Sequence, residues 1–382
     1  MDHYLPGADR APQARTCLAL ALAAALVACG GGGGGGGDPA PAPAPAPDPT
    51  PDPDPAPAPT GDQAISTTYD RAFWQDLGGA LAQSRATTAG QLYNTPPIID
   101  SCDPGRLTQA AIDRYLETLN AARALHGLAP VTHRSGADTD AQAGALIQRA
   151  NNYLEHEPDP GDACYSDAAA RGAAGNLFGG GSTLVDPAWH VAGWLEDRLT
   201  VDAQGAAIGH RLSFLNPELA GSTYGQVDGY SVGAADASVG RNSVPEGLAF
   251  VAYPYREMPS VLAPTVPDQT GDGETRHLKW SFSLYSPLGT GAPFDYRLDR
   301  ATVTVTRDDT GEVLAITGLE ARYKGGYGFI DTLIWEVRDA EYGVEYEVTV
   351  SNIGADQLDG DFADSYRYPV LIEDVGIDGA EQ

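Results

Sequence analysis

Between residues 100 and 258 the apolar positions recur at helical spacing, and beyond 275 they alternate. Ile112, Tyr115, Leu116 and Leu119 make a stripe that predicts a helix over Arg106–His126, with Gly127 as its stop. Ala143, Leu146, Ile147, Ala150 and Leu154 predict a second helix over Asp138–Leu154, with His156 just after it and Pro158 barring continuation. A third helix is predicted over Asp186–Arg198, where Asp186 suits the N-cap and Pro187 the first helical position. Its apolar face carries Val191, Trp194 and Leu195. Asp197 stands three residues after Trp194 and so shares its face, whereas Glu196 points away and is expected to meet solvent. Upstream, Phe73, Trp74 and Leu77 suggest a short helix in an otherwise ambiguous stretch.

Short extended segments follow from Leu219 to Tyr253, and a Pro/Asp/Gly-rich stretch, Pro259–Glu274, reads as a linker. Past it the period becomes two. Leu278, Trp280, Phe282 and Leu284 alternate with polar residues, as do Val303 and Val305, then Leu333, Trp335 and Val337. Tyr346, Val348 and Val350, and then Tyr366, Tyr368 and Val370, repeat the pattern. Half-buried strands joined by Gly/Asp turns, without helices between them, predict an all-β, immunoglobulin-like antiparallel sandwich. The whole is of the α+β class.

The N-terminal third changes the picture in another way. Arg10 and Arg15 precede an apolar run from Cys17 to Ala28 that is too short to span a bilayer and matches a signal-peptide core. It ends Leu26-Val27-Ala28-Cys29, which resembles the lipobox of bacterial lipoproteins and implies lipidation of Cys29. Gly30 follows, which in that class favours the outer membrane. Gly30–Gly37 is flexible coil, and the Pro/Ala/Asp repeat to Pro59 favours extended polyproline II; together they read as a tether. The expected division is a signal peptide over 1–28, a tether over 29–60, an extension over 61–99, a first domain over 100–258, a linker over 259–274 and a β domain over 275–382. The chain has 382 residues with 52 acids against 23 bases, a formal charge of −29. That balance argues against nucleic acid or an anionic membrane surface as partner. Any membrane association is expected through the lipid anchor alone. Cys102 and Cys164 remain for the folded part, and in a chain expected to leave the cytoplasm they are predicted to pair.

His156, Asp197 and His210 arrive from three segments and could form one small polar site. Two imidazoles and a carboxylate can hold zinc with one position left open; equally, they can hydrogen-bond one another and the helix ends. His190, on the Trp194 face, is a fallback ligand or a half-exposed helix residue. Gly229-Tyr230-Ser231-Val232-Gly233 matches G-x-S-x-G, but no apolar helix follows, as a nucleophile elbow requires.

The order of these motifs is similar to one family. Leu119-Asn120-Ala121-Ala122-Arg123 and Gly127-Leu128-Ala129-Pro130-Val131 precede a helix ending near His156. Gly175-Asn176-Leu177, Trp194 with acids just after it, and Gly209-His210-Arg211 follow. Over residues 100–258 this resembles the CAP superfamily of cysteine-rich secretory, antigen 5 and pathogenesis-related proteins, in a bacterial branch with Ser101-Cys102-Asp103-Pro104-Gly105. The resemblance implies an α-β-α sandwich whose cleft holds two histidines and two acids, often with a divalent metal. His156 and His210 match the histidines and Asp197 the second acid, while Gly175 stands at the first acid's position. Two function classes follow as expectations. One is a surface-anchored binding module for a lipid, glycan or protein ligand. The other is a metal-dependent hydrolase, for which no nucleophile is evident.

Overall fold

In the computed structural model, helix α1 (Arg71–Gln83) forms around the predicted Phe73, Trp74 and Leu77, and a one-turn helix α2 spans Ala89–Leu92. Helix α3 is Gln109–Ala124, opened by Thr108, whose side chain accepts from the Ala111 N–H. Its stripe of Ile112, Tyr115 and Leu119 is buried, and Gly127 takes a positive φ of 67° just past its end. Helix α4 is Asp138–Asn151, shorter than predicted: Asn152 turns left-handed at φ 53° and ends it, leaving Leu154 at 50% exposure. Helix α5 is Asp167–Ala173, α6 is Pro187–Glu196 and α7 is Gly209–Phe214. In α6 the Asp186 carboxylate caps the Ala188 N–H at 2.8 Å with Pro187 in the first turn, as the sequence predicts.

The structure describes residues 60–61, 65–197, 201–202, 205–269, 275–286, 298–322, 327–353 and 363–376, all within one compact unit, Pro57–Gln382. The predicted signal peptide, Cys29 and nearly all of the tether lie outside the described residues. Among the described residues no helix is long and apolar enough to cross a membrane.

Two arrangements organise the unit. In the first, a four-stranded sheet runs Thr132–His133, Leu219–Val227, Tyr230–Arg241, Asn176–Gly179. Side chains of Leu219–Val227 alternate between its faces, so helices cover both sides. Tyr224 stacks on Tyr115 of α3 and meets Trp194 of α6, while Gly225 faces α4. A Cβ at Gly225 would stand 2.3 Å from the Ala141 carbonyl, so only glycine lets α4 lie this close. Cys102 and Cys164 are bonded, with Cα atoms 5.1 Å apart, as predicted.

In the second, two sheets face one another like a β-sandwich. One runs Phe250–Tyr253, Lys279–Leu284, Asp331–Val337, Ile316–Arg322. The other has Thr302–Arg307, Glu345–Ser351 and Ser365–Glu373 as an antiparallel set. Phe250, Trp280 and Phe282 meet Tyr346, Tyr366 and Tyr368 across the interior. The last strand also carries two short parallel partners, Thr60–Gly61 and Arg256–Pro259.

The strand pairing differs from the expected division at 258. Phe250–Tyr253 and Arg256–Pro259, which the sequence reading placed in the first domain up to residue 258, with Pro259 in the linker, hydrogen-bond to strands of the second. Within the expected linker, Val261, Leu262 and Ala263 are buried. The alternating strand Lys279–Leu284 is buried on both faces, because its Ser281 face packs on the helical part through Arg211. One apolar core runs through both arrangements, from Ile65 to Val375.

Candidate functional site

Asp197 and His210 come together as the sequence reading expects, but by a different route. Asp197 is not on the α6 face; it is the residue after the helix, in the left-handed region at φ 54°, a conformation that aspartate tolerates. The turn sends its carboxylate inward, where it is fully buried. Oδ1 accepts from His210 Nδ1 at 2.9 Å and Oδ2 from the Arg211 backbone N–H at 3.2 Å. Ile208, at the N-cap of α7, offers no side-chain cap, so Asp197 supplies one from across the junction. A carboxylate only accepts, so Nδ1 of His210 carries the proton and Nε2 holds the lone pair of the neutral ring.

Arg211 returns the contact. Its guanidinium is fully buried and donates to the last carbonyls of α6, Leu195 O and Glu196 O, both at 2.6 Å. It also donates to Lys279 O at 2.6 Å and Ser281 Oγ at 3.3 Å, and stacks 4.1 Å above the Tyr253 ring. The C-terminus of α6 and the N-terminus of α7 thus cap each other, and the sandwich is tied to both. The Tyr327 hydroxyl lies over the start of α7, 2.8 Å from where a Cβ on Gly209 would stand, so a side chain there would displace that ring.

Two expectations, for Glu196 and His190, are corrected. Glu196 does not face solvent; it is 7% exposed, because the sandwich covers the helix end. His156 stands past the end of α4, with its Nδ1 2.9 Å from the Ala173 carbonyl of α5. Among the described residues no three His, Cys, Asp or Glu side chains are placed to hold a metal ion. His190 is not half-exposed but fully buried. Gly175 precedes the strand Asn176–Gly179, where Leu177 O accepts from the Trp194 indole at 3.0 Å. Ser231 of the G-x-S-x-G stretch is buried at the start of the strand Tyr230–Arg241, with strand and not helix after it, so it is no elbow nucleophile.

Sequence reasoning missed the polar interior around this node. Gln226 donates through Nε2 to the carbonyls of Val185 and Asp228, which turns Oε1 toward the Tyr224 hydroxyl. Tyr224 donates there, so His190 Nδ1 must donate to Tyr224, 2.6 Å away. The Phe178 and Trp194 rings flank that imidazole, and burial pushes it down to about 3. His126 stacks on Tyr253 and is pushed down to about 4, chiefly by burial. Arg123, within the quoted Asn-Ala-Ala-Arg motif, holds the carbonyls of Ala129, Phe214, Asn216 and Leu219, and burial lowers it to about 10. The one sequence signal for both arginines was position: each falls in an apolar segment where an exposed cation has no place.

No protein-family model matches the chain, and no curated protein matches it.

Proposed function

We propose that the chain is an envelope-anchored binding module of CAP type, fused to an immunoglobulin-like sandwich and held at the outer membrane by lipid on Cys29. Its ligand is taken to be a lipid, glycan or protein rather than a substrate. What supports this most is the use made of Asp197: both carboxylate oxygens are engaged by His210 and the Arg211 N–H. The acid that would serve as a ligand or base instead fastens two helices. With Gly175 at the other acid's position, the donor set does not fit a resident metal ion of its own.

A metal-dependent hydrolase is the second reading, and one observation favours it. Nδ1 of both His156 and His210 is engaged by an oxygen, the orientation metal-ligating imidazoles usually have. Calorimetric zinc titration of the wild type, His156→Ala and His210→Ala separates the two. The binding-module reading expects the three to behave alike; one saturable ion lost in both variants would replace it with the hydrolase. For the anchor, Cys29→Ala is expected to move the protein from the membrane to the soluble fraction, and unchanged fractionation would remove the lipoprotein part.

A further inference from the structure

The strand Ser365–Glu373 is covered along one edge by two short partners that do not meet. Thr60–Gly61 pairs with residues 365–366 and Arg256–Pro259 with residues 370–373. Beside the interval between them, next to Pro369, lies a cavity of about 410 Å³, within the size range of small-ligand sites. It shares no residue with the Asp197–His210 node.

Its walls are of two kinds. Pro369 and Leu371 give an apolar side. Thr67, Thr68, Glu257, Glu345 and Arg256 give a polar one. Thr67 is half-buried, and Thr68 and Glu345 are exposed, so this wall is open to a ligand from solvent. The Glu257 wall is fixed from behind: Arg71 of α1 bridges it, at 2.7 Å, to Glu373. Burial and then the Glu373 charge raise the Glu257 carboxyl above its usual range.

We propose that this cavity binds a neutral, hydroxyl-rich ligand of one or two sugar rings. A pyranose offers hydroxyls along its edge and an apolar C–H face, and the cavity offers carboxylates and hydroxyls opposite an apolar wall. An anion would meet Glu257 and Glu345, and a small cation would meet Arg256 in the same lining.

The test is a titration of the full chain, followed by calorimetry and saturation-transfer NMR. The probes are methyl β-glucopyranoside, methyl β-galactopyranoside, maltose and cellobiose, with glucuronate and putrescine as charged controls. At least one neutral sugar is expected to saturate a single site. Glu345→Ala and Thr68→Val should each weaken it by about tenfold or more, and Thr67→Trp, which fills the cavity, should abolish it. Melting temperatures of the variants, compared with the wild type, show that the fold survives. Lack of saturation by every neutral sugar, undiminished affinity in the variants, or saturation by a charged control alone would overturn the proposal.

Discussion

Arg211→Ala probes the contact on which the site depends. The guanidinium serves three backbone carbonyls, Leu195, Glu196 and Lys279, and the Ser281 hydroxyl, from a fully buried position. Leaving a buried acceptor unmet costs about 1–3 kcal/mol, and a desolvated stack such as that on Tyr253 contributes up to about 2 kcal/mol. Removing the cost of burying the charge, and water entering the space left behind, act the other way. The balance is a loss of about 3–5 kcal/mol, comparable to breaking a buried ion pair. Arg211→Lys should recover less than half of it, because one ammonium cannot span the α6 carbonyls and Lys279 O together. Urea unfolding read by tryptophan fluorescence is the assay, since Trp194 and Trp280 are buried in the helical and sandwich parts. A loss below about 1 kcal/mol, or full recovery in the lysine variant, would refute the reasoning.

The disulfide spans a sequence separation of 62 residues, and replacing both Cys102 and Cys164 by alanine is expected to lower stability by about 4 kcal/mol in urea; a change below about 1 kcal/mol would contradict this. His126 and His190 are held neutral at about 4 and about 3, so both are lowered from the unfolded value near 6.5. Their contribution is therefore present above about pH 6.5 and is lost as pH falls toward those values, by up to about 1.4 kcal/mol per pH unit for each ring. Unfolding free energies measured from pH 7 to pH 4 should fall steeply, and a flat profile would show that the rings are not buried neutral. Gly175→Glu places a Cβ 3.0 Å from Val232 Cγ1 and 3.2 and 3.3 Å from the Gly172 and Gly233 carbonyl oxygens, so thermal unfolding should show a loss of about 1–3 kcal/mol. An unchanged melting temperature would mean that the hairpin yields at little cost.

How much of the site was legible follows from which forces are local. Asp186 and Pro187 announced the start of α6, since capping involves neighbours in sequence. The end of that helix was not announced: Asp197 leaves the helical path, so spacing from Trp194 placed its side chain near the right neighbours for the wrong reason. Spacing likewise put Glu196 in solvent, because a helical wheel knows nothing of a sandwich packed against the helix end.

By itself the sequence determined the α+β class, the positions of the main helices, the alternating strands and the Cys102–Cys164 pair. These depend on periodicity, caps and a count of available thiols, all readable within a few turns of chain. The tertiary structure decided the rest. It assigned Phe250–Tyr253 and Arg256–Pro259 to the sandwich, set the Asp197 carboxylate against His210 and the Arg211 N–H, and opened the cavity beside Pro369. Each of these depends on which backbone groups and faces meet across long sequence separations. Burial then makes a hydrogen-bond partner mandatory, as Arg211 shows at the carbonyls of Leu195 and Lys279.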